Sequence, residues 1–317
     1  MLLYTLRRIS LLLITILVLT LVAYLLEHRL IHQEVPLWGG YVDYLQRLAD
    51  GDLGLSQASG LPVMSLIALY FPATLQLCLA AFLVSLLLGI PLGTLAALNQ
   101  GRLLDMGIMS AGLVGYSVPV FWLALLAVSF FSLDLGWLPS SGQLNLLYDV
   151  PPLTGAPLLD ILLFPAPWQH AALLDALRHM VLPTLVLAIV PTAEVIRHVR
   201  SSLIVVMKQN YVKAAASRGM SRPAIVWRHG LKNALPPIIP LLGLQFGSVL
   251  TSAMVTEVIF DWPGIGRWLV SSIAVQDYAA IQGGTLVVAS FVILASVTTE
   301  LLTTLFYPVR RKELYAR

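Results

Sequence analysis

Long apolar stretches dominate this sequence and decide what it can fold into. A helix that crosses the hydrocarbon core of a bilayer needs about 20 predominantly apolar residues. Only 11% of the 317 residues are charged and the mean hydropathy is +0.85, whereas a soluble domain carries roughly 25% charged residues. We therefore predict an all-α integral membrane protein with six transmembrane helices, at about 9–26, 71–98, 107–133, 180–196, 235–258 and 283–307.

The distribution of basic residues predicts which side of the membrane each connecting segment faces. Cytoplasmic loops of membrane proteins carry an excess of Lys and Arg. The sequence therefore predicts cytoplasmic N- and C-termini, and the net charge of +3 needs no nucleic-acid partner. Fifteen of the 19 Lys and Arg residues lie in the predicted inner segments 1–8, 99–106, 197–234 and 308–317.

The chain is predicted to form a single membrane domain over residues 1–317. Its first transmembrane helix, 9–26, is followed by an outer loop at 27–70 and by a five-helix core at 71–307. A cleaved signal peptide is the alternative for the first stretch, but no small-residue cleavage site follows it. A second long outer segment, 134–179, is rich in Pro and Gly, and we predict some local structure there.

The inner loop, residues 197–234, is too long and too regular for a simple connector. Three alanines favour a short helix over Tyr211–Arg218, and Gly219 can end it in the left-handed conformation. Ser221 is a good N-cap and Pro223 suits the first turn of a second helix. This helix–glycine–helix pattern indicates either a docking surface, because small residues allow close approach, or a basic loop that only enforces topology.

The inner loop resembles the coupling loop of ABC importer permease subunits, whose usual form is E-A-A, three residues, then Gly. Ala214, Ala215 and Gly219 keep that spacing, while Lys213 stands where Glu is usual. Other segments resemble the dipeptide/oligopeptide permease family in the same order along nearly the whole chain. They are Gly51-Asp52-Leu53-Gly54 with Ser56, Pro72-Ala73-Thr74-Leu75, Ser117-Val118-Pro119-Val120-Phe121-Trp122, Leu135-Gly136-Trp137-Leu138-Pro139, Arg228-His229, Asn233, Pro236, Glu257, Phe260, Pro263-Gly264-Ile265-Gly266 and Asp277-Tyr278.

Within this family, the long segment 134–179 and the coupling loop are most similar to the first permease subunit of Sap-type transporters. The resemblance implies a type I ABC importer permease fold and a translocation path for peptides or similar cationic small molecules. It also implies a bacterial inner-membrane location, a heterodimer with a second homologous permease, two cytoplasmic ATPase subunits and a periplasmic substrate-binding protein, all within membrane lipid. The residues it assigns to ATPase coupling are Tyr211, Lys213, Ala214, Ala215, Gly219, Arg228, His229, Asn233 and Pro236.

Carboxylates within the apolar stretches mark a second set of candidates. Charged side chains inside a membrane usually face the bundle interior or water, because exposure to lipid is costly. The segment Glu257–Arg267 contains helix-breaking Pro and Gly and predicts a turn at the outer mouth of a pore. A buried hydrogen-bonded carboxylate and an ordinary interfacial turn are the structural alternatives. The candidates for the translocation path or outer gate are Glu194, Glu257, Phe260, Pro263, Gly264 and Gly266.

Enzymatic signatures are missing from the sequence. No G-x-x-x-x-G-K-[ST] phosphate loop and no Cys/His zinc spacing occurs, so we predict no catalytic, cofactor or metal site. If the resemblance holds, ATP hydrolysis takes place in the partner subunits. Three alternatives stay open at this point: a secondary transporter driven by an ion gradient, a membrane enzyme whose acid/base set we do not find, and an ABC system that works in export.

Overall fold

The computed structural model describes residues 2–30 and 37–306, and over these ranges the chain is helical and forms no strand, apart from one isolated bridge between Leu55 and Pro62. Two segments are π-helical, Val128–Asp134 and Val226–Leu231. The helices are α1 (Leu2–Leu30), α2 (Leu37–Ala49), α3 (Val63–Leu98), α4 (Leu103–Ser117), α5 (Val120–Ala127), α6 (Pro157–Leu163), α7 (Gln169–Met207), α8 (Asn210–Ser217), α9 (Arg222–Ile225), α10 (Lys232–Ala234), α11 (Ile239–Ile259), α12 (Ile265–Ala274) and α13 (Tyr278–Phe306).

Four of the described helices, α3, α7, α11 and α13, are long and apolar enough to cross a membrane. A fifth span is formed if α4 and the stretch from Val120 to Asp134 count as one bent crossing. In α1 the uninterrupted apolar part, Ile9–Leu25, is shorter than in those four helices. The all-helical membrane fold is therefore confirmed, whereas the count of six spans stays a prediction.

The predicted third span, 107–133, is two helices rather than one. The axes of α4 and of the stretch from Val120 to Asp134 meet at 98°. Val118 and Pro119 between them have extended backbone, with ψ of 127° and 131°. Proline disfavours helical geometry at the residue before it and has no N–H to donate. By contrast, α3 runs through Pro91 without ending.

Helix α7 is much longer than the predicted fourth span, 180–196. Its 39 residues correspond to about 58 Å, about twice the thickness of the hydrocarbon core. Residues 169–179, expected in the outer segment, and residues 197–207, expected in the inner loop, belong to the same helix. Because α7 is continuous, it connects the inner loop mechanically to the centre of the bundle.

Glycine pairs four residues apart bring the long helices into close contact. A Cβ atom on Gly89 of α3 would lie 2.6 Å from Cβ of Val195 on α7, and one on Gly93 would lie 2.8 Å from the α7 backbone. A Cβ on Gly243 or Gly247 of α11 would lie 2.6 or 2.8 Å from side chains of α13. Small residues at this spacing let helix backbones approach in membranes, where the hydrophobic effect does not drive association.

The two predicted outer segments contain more helix than expected. Within 27–70, the described residues form α2 and the first turns of α3, and within 134–179 they form α6 and the start of α7. Tyr41 and Tyr44 of α2 pack against Tyr24 of α1, with ring centroids 5.5 and 5.7 Å from the Tyr24 ring. This contact holds α2 against the first helix.

Candidate functional site

The hairpin at residues 210–234 forms the helix–glycine–helix arrangement that the sequence predicts. Helix α8 spans Asn210–Ser217, one residue earlier than expected. Gly219 has a φ of +78°, and the Gly219 N–H donates to the carbonyl of Ala216 at 3.0 Å. The predicted left-handed turn at Gly219 is therefore confirmed.

The second half of the hairpin is less regular than predicted. Ser221 occupies the N-cap position of α9, with φ −64° and ψ 148°, but its side chain makes no capping hydrogen bond. The helix has only four residues before the π-helical turn Val226–Leu231 begins. A Cβ on Gly230 in this turn would lie 3.0 Å from Cδ1 of Leu203, so the turn lies directly on α7.

Packing inside the hairpin divides its alanines between two faces. Val212 and Ala215 of α8 are buried against Ile225 of α9. Ala214 and Ala216 are exposed, but they lie two positions apart and point in different directions around the helix. Of the small residues predicted for docking, these two are therefore accessible next to the glycine turn, while Ala215 holds the hairpin together.

Other predicted coupling residues brace the hairpin or add charge to it. The ring of Tyr211 lies 6.4 Å from the ring of His229, and Nδ2 of Asn233 donates to the His229 carbonyl at 2.8 Å. Pro236 lies in the turn between α10 and α11. The exposed basic side chains of the hairpin are Lys213, Arg218, Arg222, Arg228 and Lys232.

The structure contains an ion pair near the hairpin that the sequence analysis does not predict. The guanidinium of Arg200 on α7 donates to both carboxylate oxygens of Asp105 on α4, at 2.6 and 2.7 Å. The Gly101 N–H donates to the same carboxylate at 2.8 Å, and Asp105 is only 3% exposed. This pair joins the bent third span to the helix that carries the hairpin. An acidic residue in the basic inner segment 99–106 was the available signal.

Glu257 is the centre of a buried hydrogen-bond cluster. Oγ1 of Thr74 on α3 donates to Oε1 of Glu257 at 2.5 Å, and the Arg267 N–H donates to Oε2 at 3.0 Å. The Ile265 N–H in turn donates to the Thr74 hydroxyl at 2.8 Å. The carboxylate is fully buried and ties α3, α11 and the first turn of α12 together. Thr74 belongs to a motif singled out in the sequence, but its contact with Glu257 was not foreseen.

The neighbouring gate candidates complete this cluster. A Cβ on Gly264 would lie 2.3 Å from Cδ of Glu257, so only glycine leaves room for the carboxylate. Gly266 is equally close to α11, because its Cβ would lie 2.5 Å from Cα of Met254. Phe260 is 1% exposed, and Pro263 lies in the turn between α11 and α12. The predicted turn is confirmed, and its position at a pore mouth stays a prediction.

Glu194 differs from Glu257 because its carboxylate makes no hydrogen bond with the described residues. It lies half-buried on α7, within the predicted span, and lines a small pocket with Arg197 and Tyr116. Among the described residues, no hydrogen bond links it to the Glu257 cluster. The structure therefore distinguishes Glu257, which ties three helices together, from Glu194, which lines a pocket.

The segment after α2 is held by Asp277, between α12 and α13. Burial raises the pKa of the Asp277 carboxyl, but the hydrogen bonds from Ser56 and from the N–H groups of Ala280, Ala58 and Gln57 outweigh it and hold the pKa below its ordinary value. Oγ of Ser56 donates to Asp277 Oδ2 at 2.5 Å. This carboxylate therefore fixes the turn before α3 to the start of α13.

Comparison with known proteins decides the family. Residues 89–312 match the family described as "Binding-protein-dependent transport system inner membrane component". The chain belongs to this family. It is therefore a multi-pass inner-membrane permease of the ABC transporter class, and its family is not itself catalytic.

Three relatives show how far the likeness extends. SapB of Escherichia coli K12, named "Putrescine export system permease protein", is 47% identical over 100% of this chain and 99% of its own length. SapB of Salmonella typhimurium, named "Peptide transport system permease protein", has the same identity and coverage. DppB of Pseudomonas aeruginosa, a "Di/tripeptide transport system permease protein", is 43% identical over 89% of this chain and 82% of its own length. The predicted resemblance to Sap-type and dipeptide permeases is confirmed.

Proposed function

We propose that this chain lines the translocation path of an ATP-driven importer for peptides or similar cationic small molecules. We further propose that the chain crosses the membrane six times and that both termini lie in the cytoplasm. Residues 71–307 then form the five-helix core of a type I importer permease fold. The bias of basic residues supports this orientation, and α1 supplies the additional span if its apolar part crosses the membrane. The inner loop then lies on the cytoplasmic face, where an ATPase can reach it.

The proposed partners follow from the family. A second homologous permease subunit pairs with this chain as a heterodimer, two ATPase subunits bind at the cytoplasmic face, and a substrate-binding protein docks at the opposite face. Because the chain has no phosphate-binding loop in its sequence, ATP hydrolysis is assigned to the ATPase subunits. Neither a cofactor nor a metal ion is part of this proposal.

The mechanism rests on the rigidity of the hairpin and of α7. A permease alternates between outward-open and inward-open states only if its partners bind the two states with different free energies. An ATPase that binds the hairpin more tightly in one state moves it, and the π-helical turn transmits the movement to α7. The Ser202 hydroxyl donates to the Ala234 carbonyl at 2.7 Å, which joins the end of the hairpin to α7.

The observation that carries this proposal is the exposed left-handed turn at Gly219, next to Ala214 and Ala216. A Cβ on Gly219 would meet no atom within 4 Å, so a substitution tests the backbone conformation rather than packing. We therefore compare Gly219→Val, which disfavours the left-handed region, with Gly219→Asn, which tolerates it.

The test uses the complete transporter, purified in mild detergent and reconstituted in vesicles. We expect Gly219→Val to lose most ATP-driven uptake and to retain less ATPase on purification, while Gly219→Asn stays close to wild type. Normal uptake and normal ATPase association in the valine variant would refute the docking role. Purification of the wild type without any ATPase would refute the ATP-driven function itself.

Export is the second candidate, because the E. coli K12 relative is named as a putrescine export permease. Direction is tested with the complex reconstituted in inside-out and right-side-out vesicles, with ATP on the side of the ATPase subunits. Import predicts that a binding protein on the outer side stimulates uptake into right-side-out vesicles. Export predicts ATP-driven accumulation in inside-out vesicles without the binding protein. The earlier alternative of an ion-gradient transporter predicts uptake without ATPase subunits, which the family assignment disfavours.

A further inference from the structure

Glu194 and Arg197 carry opposite charges next to each other on α7. They lie one helical turn apart on α7, and both line a pocket of about 100 Å³. Neither side chain makes a hydrogen bond or an ion pair within the part of the chain that the structure describes. His198, the next ionisable residue on α7, interacts electrostatically with both charges but does not line this pocket.

The half-buried Glu194 requires an explanation, whereas Arg197 beside it is exposed. Glu194 lies on a helix whose apolar part crosses the membrane, and ionisable groups there face a water-filled path or a binding partner. Elsewhere, the chain satisfies its buried carboxylates with its own donors, as Asp105 and Glu257 illustrate. Glu194, whose carboxylate accepts no hydrogen bond from the described residues, is therefore an exception to the pattern of this fold.

The pocket continues into a larger apolar groove. The groove has a volume of about 620 Å³, lies between α3, α4 and α7, and shares Gly112, Ala193 and Ile196 with the charged pocket. Gly107 and Gly115 on α4 add no side chain to one wall of the groove, which Leu104 and Ile108 also line. A ligand with charged ends and small apolar side chains would therefore find a complementary surface for each part.

We propose that Glu194 and Arg197 bind the ammonium and carboxylate groups of a zwitterionic short peptide, whose apolar side chains lie in the groove. This inference rests on the proposed transport function and names its substrate class. Glutamate accepts hydrogen bonds from an ammonium group, and the fork of arginine donors matches a carboxylate. Side chains three residues apart on a helix are neighbours, so both can reach one small ligand.

The charge pattern discriminates between the substrates in the relatives' names. A peptide places opposite charges next to Glu194 and Arg197, and both interactions are attractive. A diamine such as putrescine would satisfy Glu194, but its second ammonium group would face the guanidinium of Arg197. This pocket therefore selects short neutral peptides over dications.

The experiment measures ligand binding to the complex of both permeases and the ATPase subunits in lipid nanodiscs, without the binding protein. The probe is radiolabelled Ala-Ala, and the competitors are N-acetyl-Ala-Ala, Ala-Ala amide and putrescine. The variants are Glu194→Gln and Arg197→Gln. Ser201→Ala is the matched control, since Ser201 is exposed on the next turn of α7 and lines neither cavity.

We expect blocking of either end of the peptide to weaken competition in the wild type and the control by about tenfold or more, the effect of one charged hydrogen bond. In Glu194→Gln, N-acetyl-Ala-Ala should compete as well as Ala-Ala, because the partner of the ammonium group is gone. In Arg197→Gln, the same should hold for Ala-Ala amide. A purely structural role of either residue would weaken all ligands alike.

Four results would overturn the inference. The variants could rank the ligands as the wild type does, or putrescine could compete better than Ala-Ala in the wild type. Alternatively, the variants could lose the second permease on purification, which would assign the two charges to the subunit interface. An intact complex that binds no Ala-Ala rejects this inference alone, whereas a wild-type chain without ATPase subunits rejects the proposed function.

Discussion

Removal of Arg200 should destabilise the permease more than removal of Arg200 and Asp105 together. In Arg200→Met, the carboxylate of Asp105 keeps the Gly101 N–H but loses both donors of the guanidinium. In the double variant Asp105→Asn/Arg200→Met, no charge is left without a partner. The comparison therefore measures the cost of the stranded carboxylate rather than the loss of contact area.

The surroundings of the pair set the magnitude. Breaking a fully buried ion pair costs about 3–5 kcal/mol, whereas an exposed pair contributes about 0–1 kcal/mol. The side chain of Asp105 is 4% exposed and that of Arg200 is 26% exposed, so the pair lies between these limits. We expect Arg200→Met to lower the free energy of unfolding by about 2 kcal/mol and the double variant to lower it by about 1 kcal/mol.

The assay is SDS titration of the purified subunit in mixed micelles, and unfolding is measured as the loss of helicity. Arg178→Met is the matched control, because Arg178 lies exposed on the same helix, and it should stay close to wild type. ATP-driven uptake by the reconstituted complex provides a second readout, since the pair joins α4 to α7. A double variant less stable than Arg200→Met, or a single variant indistinguishable from the control, would refute this reasoning.

Two further substitutions test the hydrogen-bond clusters around Glu257 and around Asp277. Gly264→Ala should lower the free energy of unfolding by about 2–4 kcal/mol in the same titration, because its Cβ would displace the Glu257 carboxylate, whereas Gly39→Ala meets no atom within 4 Å and should not. The pKa of Asp277 is lowered in the folded protein, so its ionised carboxylate stabilises the fold at a pH above the ordinary pKa of aspartate. This stabilisation is lost as the pH falls through the pKa that Asp277 has in the folded protein. Ser56→Ala removes one hydrogen bond to that carboxylate, so proteolysis of the turn before α3 should begin at a higher pH than in the wild type; identical pH profiles would contradict this account.

Local sequence signals predicted the helices of this protein well and their lengths poorly. The apolar stretches at 71–98 and 235–258 lie almost entirely within α3 and α11. The predicted span 180–196 missed both ends of α7, because hydropathy marks the part of a helix that lies in lipid, and polar turns can extend the same helix into water. Pro119 was a visible signal for a kink, but Pro91 has the same chemistry and leaves α3 continuous.

The candidate site also has features that the sequence predicts and features that it does not predict. The left-handed turn at Gly219 was predictable, because glycine alone adopts this conformation without a steric cost. The contacts of Glu257 were not, because its partner Thr74 lies 183 residues away along the chain. Nothing in the sequence distinguished Glu257, which is fully buried, from Glu194, which is open.

The sequence by itself determined that this chain is a helical membrane protein, where most of its long apolar helices lie and where the hairpin at 210–234 turns. These properties follow from the transfer of apolar side chains into lipid and from backbone preferences, and both act within a few neighbouring residues. Only the tertiary structure decided the 98° bend, the pairing of Asp105 with Arg200 and the separation of the two carboxylates. The reason is that helix packing brings distant segments together, and the geometry of that packing depends on every contact in the bundle.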